Sequence, residues 1–519
     1  MRIDFVNPVY PLSLWDFSLC RDLDGYAYPH APLSLPTLAA LTPPGHVVRL
    51  VDENVTPVDL DSDADIVGIT GYWIQRARVF ELAGHFRARG KRVAIGGPIV
   101  ERSTIDELMR HADHVFLGEA EHTWPQFLAD LAAGRAAALY EQPTLVDMAA
   151  SPTPRFDLLA PGAYAAATIE TSRGCPYACE FCEIPTRLGQ RSRTKSVDQV
   201  MAEVRLHHRL GATTIFFVDD HFLGNKKRAL ALLDALAEFV RSIDYRMFFS
   251  CQFTINLAKD EELLERLAAA NFRRVFVGIE TPRRDGLALA NKKQNLVVDL
   301  VDSVRRLHAH NIIVWAGLIV GFDTDDPAVF DDQLALLDAA SIPVAMIGRL
   351  QAIPGTPLFA RMAREGRVRD ESTLAGVRGT YESLVVSNIE PTCMPERELV
   401  AGYQRLVAAA YEPEAFARRV VGALLAGRRP LPRARSGVSA RHLGVLARLA
   451  RWYLVTRDGA RRRMFLEVVG RVARHRPEQL PTALMHLVIW KHMHTFYGRV
   501  AALPVESARA GSGGTGAAA

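Results

Sequence analysis

The chain has 519 residues, 49% of them apolar and 23% charged, with a net charge of +4. That length exceeds one hydrophobic core and predicts about three domains. The near-balanced charge excludes a general polyanion partner, nucleic acid included. Six cysteines show no disulfide-framework spacing. The first residues, MRIDFVNPVY, lack an apolar signal core, and no run reaches about 18 apolar residues. A reducing, cytoplasmic setting is therefore expected.

Residues 1–135 alternate short apolar runs with helical patterns. Strands are expected at Arg2–Val6, Val47–Val51, Asp65–Thr70, Arg92–Ile95 and His114–Leu117. Helices are expected at Leu33–Leu41, Ile74–Ala88, Ser103–Arg110 and Glu121–Ala133. Buried strands alternating with helices imply a doubly wound, Rossmann-like parallel sheet. Ligands of such sheets lie beyond the strand carboxyl ends. Small or polar residues gather there: Asn7, Thr70-Gly71-Tyr72-Trp73, Gly96-Gly97 and Gly118-Glu119. Ordinary strand-to-helix turns also favour glycine, so ligand binding and plain turns both remain open here. Residues 136–163, with four prolines' worth of turn signal around Pro143, Pro152, Pro154 and Pro161, read as a linker.

Residues 164–360 alternate strand and helix again, with strands at Ala165–Glu170, Thr214–Val218, Arg246–Cys251, Arg274–Ile279, Ile312–Val320 and Val344–Leu350. The first leads into TSRGCPYACEFCEIP, where Cys175, Cys179 and Cys182 have the spacing C-x3-C-x2-C. Three thiolates so close can ligate three irons of a 4Fe–4S cube and leave the fourth iron open for a ligand. A structural zinc site wants four protein ligands, and no obvious fourth lies nearby. Ser196-x-x-Gln199 forms a capping-box pattern at the next helix start.

Residues 361–505 read as mainly helical, with helices at Glu396–Ala410, Glu414–Leu425, Ala440–Val455, Arg461–Arg474 and Pro481–Tyr497. From Arg418 to Arg476 arginines far outnumber the two acids, Asp458 and Glu467. Such a run is either a solvated face or a surface for anionic lipid or substrate. The Gly/Ala/Ser-rich segment 506–519 is expected to be disordered.

The cysteine stretch resembles the radical S-adenosylmethionine (SAM) superfamily. The order GIT-GY, GGP and GEAE ahead of it looks like the cobalamin-binding branch. FFVDDHFLGNKK and Pro354–Leu358 are similar to the subgroup of hopanoid C-2 methylases and their uncharacterised relatives. This resemblance implies a cobalamin-binding domain over residues 1–135, a partial (β/α)6 barrel over 164–360 and a mainly helical domain over 361–505. It implies Cys175, Cys179 and Cys182 as cluster ligands. Tyr177, Phe181, Asp219, Asp220, Gln252, Glu280, Ile319 and Gly321 are its SAM candidates, and the strand-end residues above its cobalamin candidates. In other cobalamin domains a D-x-H-x-x-G histidine ligates cobalt; here the comparable loop, Asp52-Glu53-Asn54-Val55, has none.

The activity implied is C-methylation of an unactivated carbon by a 5′-deoxyadenosyl radical and methylcobalamin. Ring rearrangement, cyclisation or transfer of another SAM fragment would use the same residues, and a cofactor-binding sensor is the non-enzymatic alternative. A small-molecule or lipid-like substrate, an external donor such as flavodoxin or ferredoxin, and peripheral membrane contact complete the expectations.

Overall fold

The computed structural model describes residues 1–243, 247–369, 386–428, 431 and 440–505. The described chain divides into two units. The first contains 1–12, 26–174 and 187–219; the second contains 13–25, 175–186 and the chain from 220 onward.

In the first unit the strands are β1 (Arg2–Asn7), β2 (Tyr28–His30), β3 (Val47–Asp52), β4 (Ile66–Thr70), β5 (Arg92–Gly96), β6 (His114–Leu117) and β7 (Leu139–Glu141). Six of them form one parallel sheet in the order β3-β1-β4-β5-β6-β7. Parallel neighbours need crossovers, and helices supply them. Arg76–Ala88 buries Val79, Leu82, Ala83 and Phe86 on one face, together with Val67, Ile69 and Ile95. On the other face Leu35, Trp124 and Phe127 pack on Ile3, Phe5 and Ile66. Each such large side chain contributes roughly 1.5–3 kcal/mol by leaving water. The sheet is doubly wound, as expected, and chain order reverses between β1 and β4. The stretch expected to be a linker carries β7, which pairs with β6 in parallel register. A three-residue edge strand has too few residues to show a period, which is why the sequence does not announce it.

The same unit holds β8 (Tyr164–Ile169), β9 (Ser172–Arg173), β10 (Arg193–Thr194) and β11 (Thr214–Phe217). β8 lies parallel to β11 and to β2. β9 and β10 pair antiparallel, Arg173 opposite Arg193, so the two feet of the cysteine loop are pinned together. The helix Val197–Arg209 begins at Ser196 with the expected capping box.

The second unit contains β12 (Phe248–Gln252), β13 (Phe272–Glu280), β14 (Ile313–Val320) and β15 (Val344–Arg349), each paired in parallel with the next. Helices Glu261–Ala269, Leu300–Ala309 and Val329–Ala339 connect them. All six strands expected for the partial barrel are present, with β2 additional; Arg246 lies outside the described residues. The open edge of β15 is closed by tyrosines. Tyr411 Oη bonds both Ala345 N (2.9 Å) and O (2.7 Å), and Tyr497 Oη bonds Ile347 N (2.7 Å) and O (3.0 Å). An unpaired edge would expose a row of backbone donors and acceptors; here buried phenols satisfy it. The C-terminal helices are Glu396–Ala410, Pro413–Leu425, Ala440–Leu454, Gly459–His475 and Leu480–Ala501; Tyr411 follows the first and Tyr497 stands on the last. The helices end within a few residues of the expected bounds. Tyr453, Trp490, Phe496 and Tyr497 are core, as expected, whereas Trp452 is half-buried. Segment 506–519 lies outside the described residues.

Candidate active site

The cysteine loop is entered through Ser172, Arg173 and Gly174. Asp219, fully buried, holds the entrance: its Oδ1 accepts from Thr171 N (3.1 Å), Thr171 Oγ1 (2.8 Å) and Ser172 Oγ (2.6 Å). Arg173 is clasped by Glu119 (2.7 Å), Glu121 (2.8 Å) and Glu170 (2.8 Å). These carboxylates hold its pKa high against the opposing effect of burial. Glu119, a cobalamin candidate, thus spends its carboxylate on Arg173, Arg193 and Val146 N. Gly174 has φ 89°, and an added Cβ would lie 2.7–2.8 Å from the carbonyl oxygens of Leu188, Gly189 and Arg191. Only glycine fits that backbone and that space. Gly174→Ala is expected to yield protein that does not retain iron after anaerobic reconstitution; iron retention equal to wild type would contradict this packing argument.

Within the second unit the loop carries Cys175, Cys179 and Cys182, all free thiols, with Cys179 buried and the others half-buried. Burial pushes the thiols of Cys175 and Cys182 up, the latter to about 11. Asp220 adds to the effect at Cys175, and Lys292 opposes it at both. Of the acidic pair, then, Asp219 braces the entry and Asp220 lies beside the thiols. Among the described residues no three His, Cys, Asp or Glu groups converge as a single metal ion requires. Three thiolates are the donor set that three irons of a cube take, one each, whereas a structural zinc takes four protein ligands.

Three residues that the sequence did not single out surround this loop. Gln294 donates to Cys179 Sγ at 3.4 Å. Lys292 Nζ lies 2.6 Å from Glu280 Oε1 and 5.8 Å from the centre of the Phe181 ring. Burial works against the Lys292 ammonium, but Glu280, Cys179 and Cys182 outweigh it and raise its pKa. Asn295 Nδ2 reaches the carbonyls of Gly278 and Ile279, both at 3.0 Å. All three come from ANKKQN, which reads as a solvated turn because short polar runs have no periodicity.

Glu280 ends β13 at φ 65°, where the pairing with β14 shifts register. A non-glycine residue held there is strained and needs its surroundings to hold it. Gln333 Nε2 supplies part of that hold, bonding Glu280 O and Ile319 O at 3.1 Å each. Phe181 and Ile319 pack into one apolar cluster with Phe322 and Leu350. Gly321, at φ 98°, donates through its N–H to Asp325 Oδ2 at 2.7 Å. Tyr177 Oη accepts from Asn256 at 3.4 Å, and its ring lies 5.5 Å from that of His221. His221 is buried beside Lys292, and both effects lower its pKa to about 4, so it is neutral. Gln252 ends β12, its carbonyl accepting from Phe222 N. Tyr177, Phe181, Asp220, Glu280, Ile319, Gly321 and Gln252 thus belong to the same unit as the cysteines, while Asp219 does not.

The strand-end candidates of the first unit line one carboxyl edge, on β1, β4, β5 and β6. Asn7 and Thr70 flank the reversal of chain order, where doubly wound sheets bind ligands. Gly97, at φ 89°, packs so closely that a Cβ would lie 3.2 Å from Gly71 N and meet Thr70 Oγ1. Gly96 and Gly118 add no side chain to this edge, and Tyr72 stands beside it 52% exposed. Trp73 lies under the Arg76 guanidinium, 5.0 Å from ring centre. The histidine-free loop is knotted inward. Asp52 Oδ1 accepts from Asn7 (3.0 Å) and Asn54 (2.7 Å), and Asp52 Oδ2 from Tyr164 Oη (3.0 Å). The edge is glycine-rich and bordered by the Tyr72 and Trp73 rings, a lining that suits a flat macrocycle.

A family profile described as Radical SAM superfamily matches residues 169–334, and one described as a domain of unknown function, DUF4070, matches 356–503. An uncharacterised methyltransferase of Synechocystis sp. is 33% identical over 81% of this chain and 78% of its own length. The hopanoid C-2 methylase of Rhodopseudomonas palustris is 33% identical over 80% of this chain and 78% of its own. The cobalamin-dependent SAM radical enzyme OxsB, solved with aqua-cobalamin bound, shares the fold at TM-score 0.60 and 15% identity. It covers 96% of this chain and 80% of its own.

Proposed function

Since the chain belongs to the radical SAM superfamily, we propose that it is a cobalamin-dependent C-methyltransferase acting on an unactivated carbon. The observation that carries this is the pairing, in one chain, of the three-cysteine loop with a doubly wound domain whose strand ends fit a corrin. Relatives named as methyltransferases support the same reading. When bound, the reduced cluster and SAM supply the 5′-deoxyadenosyl radical, and methylcobalamin supplies the methyl group.

The residues of this chain bind and orient those groups. Cys175, Cys179 and Cys182 would hold three irons. Glu280, fixed by Lys292 and Gln333, and Asp220 present carboxylate charge suited to the SAM ammonium. Phe181 and Ile319 supply an apolar wall suited to adenine. Asn7, Thr70, Gly71, Tyr72, Trp73, Gly96, Gly97 and Gly118 would carry cobalamin, with no histidine offered by the Asp52–Val55 loop. Tyr72→Phe and Trp73→Phe are expected to alter the cobalt absorption spectrum of the loaded protein; spectra unchanged in both would remove these two rings from the site.

A small-molecule or lipid-like substrate and an external one-electron donor belong to this proposal. So does peripheral membrane contact. Among the described residues no helix is long and apolar enough to cross a membrane. The turn joining the helices Ala440–Leu454 and Gly459–His475 exposes Val455 at 78% and Leu454 at 39%, with Arg451, Arg457, Arg462 and Arg463 exposed around it. Apolar tips ringed by cations suit an anionic bilayer surface. Reversing charge at Arg461, Arg462 and Arg463 to glutamate is expected to cut co-sedimentation with phosphatidylglycerol vesicles by at least about tenfold, since each cation near such a surface contributes roughly 1 kcal/mol. Unchanged sedimentation would end the membrane proposal.

A further inference from the structure

In the second unit the barrel strands have two unlike faces. Val275, Val277 and Ile279 of β13 and Val314, Ala316 and Leu318 of β14 face the helices and are at most 1% exposed. Arg274, Phe276 and Gly278, with Gly317 and Ile319, alternate with them on the opposite face and stay partly exposed. Strand pairing sets Ser250, Arg274 and Ile313 in one row, and Gln252, Phe276 and Trp315 in the next. Above these rows Gly278 pairs with Gly317, and Gly348 pairs with Ile319; the Glu280 carboxylate and Lys292 ammonium close over Gly278, and the Phe276 ring over Gly317. A Cβ added at Gly348 would meet nothing within 4 Å. The lumen face therefore has the partly exposed Phe276 ring below, beside the buried Trp315, and room at the level of Gly348.

Arg274 is anomalous on that face. Its guanidinium lies 4.2 Å from the centre of the Trp315 ring, 3.3 Å from Ser250 Oγ and 3.9 Å from Met485 Sδ. None of these carries negative charge, and among the described residues no carboxylate acts on it. Burial acts alone on its pKa and lowers it to about 10, so the group is still a cation at neutral pH. Interior charges are ordinarily paired, because leaving water without a counter-ion costs several kcal/mol. Arg173 and Lys292, the other inward-facing cations described above, each have a carboxylate. Arg274 also precedes Glu280 on the same strand by about 20 Å at roughly 3.3 Å per residue, too far to serve the cofactor carboxylate there.

We propose that Arg274 is the anion-binding end of the substrate site, and that the substrate is an apolar or aromatic molecule bearing a carboxylate. Its body lies along Phe276, with the carboxylate at Arg274 and the reacting end in the room beside Gly348, toward Glu280. Trp15, 56% exposed with its ring 5.6 Å from Phe276, borders the same wall. The assignment rests on the radical SAM reading for the place of the substrate, but its test does not use turnover.

The test is fluorescence titration of the full chain with two probes of one shape, anionic 1-anilinonaphthalene-8-sulfonate and neutral N-phenyl-1-naphthylamine. Arg274→Met is expected to weaken the anionic probe at least tenfold and leave the neutral probe within twofold, while Arg274→Lys keeps most of the anionic affinity. In the wild type, 1-naphthoate is expected to displace the anionic probe at far lower concentration than 1-naphthalenemethanol. Equal loss of both probes in Arg274→Met, an unchanged anionic probe, or equal displacement by the acid and the alcohol would overturn the assignment. The displacement arm decides the matter even if Arg274→Met does not fold. A lack of SAM cleavage alongside the expected binding would sink the proposed function and leave this site standing.

Discussion

Cys179→Ser is expected to reduce 5′-deoxyadenosine formation to background, with the protein still folded. Of the three cysteines Cys179 is the most buried, and its sulfur accepts a side-chain hydrogen bond from Gln294. A serine hydroxyl keeps the shape but loses the soft thiolate that iron clusters require. Iron content, cluster absorption and SAM cleavage are measured together after anaerobic reconstitution. SAM cleavage near the wild-type rate in this variant would mean that the loop does not hold the cluster.

Lys292→Met carries the second large effect. The change leaves Glu280 buried, strained at φ 65° and without its counter-ion. Breaking one side of such a pair costs about 3–5 kcal/mol. Denaturant unfolding is expected to show a loss of that size, together with weaker SAM binding. The double change Lys292→Met with Glu280→Leu removes both charges and is expected to recover much of the stability, since a buried pair replaced by apolar groups is often neutral. SAM binding is not expected to return with it. Recovery of both would make the pair a packing feature and not part of the cofactor site.

What the sequence made legible divides along physical lines. The three cysteines were readable because their chemistry is local: residue type and spacing suffice. The doubly wound sheet was readable from apolar runs alternating with helical periods, and the C-terminal helices from their amphipathic spacing. Long-range pairing was not. Nothing local distinguishes Asp219 from Asp220, yet one clamps Thr171 and Ser172 and the other borders Cys175. Glu119 sits at a strand end as a ligand residue would, but Arg173 and Arg193 engage its carboxylate. Lys292 and Gln294 carry no local signal, because burial by distant elements leaves no mark on a short polar run of sequence. The tyrosine caps on β15 were hidden for the same reason: Tyr411 and Tyr497 meet Ala345 and Ile347 only in three dimensions.

The central claim is that one chain binds two cofactors and moves a methyl group between them. It is tested most directly without any substrate. The full chain, reconstituted anaerobically with iron, sulfide and hydroxocobalamin, is desalted and given methyl-labelled SAM and a strong reductant. The expected result is retention of about one cobalamin per chain, label on the bound cobalamin and an equal amount of S-adenosylhomocysteine, with slower release of 5′-deoxyadenosine. Release of 5′-deoxyadenosine with neither retained cobalamin nor S-adenosylhomocysteine would contradict the claim and leave a radical SAM enzyme that does not transfer methyl groups by way of cobalamin.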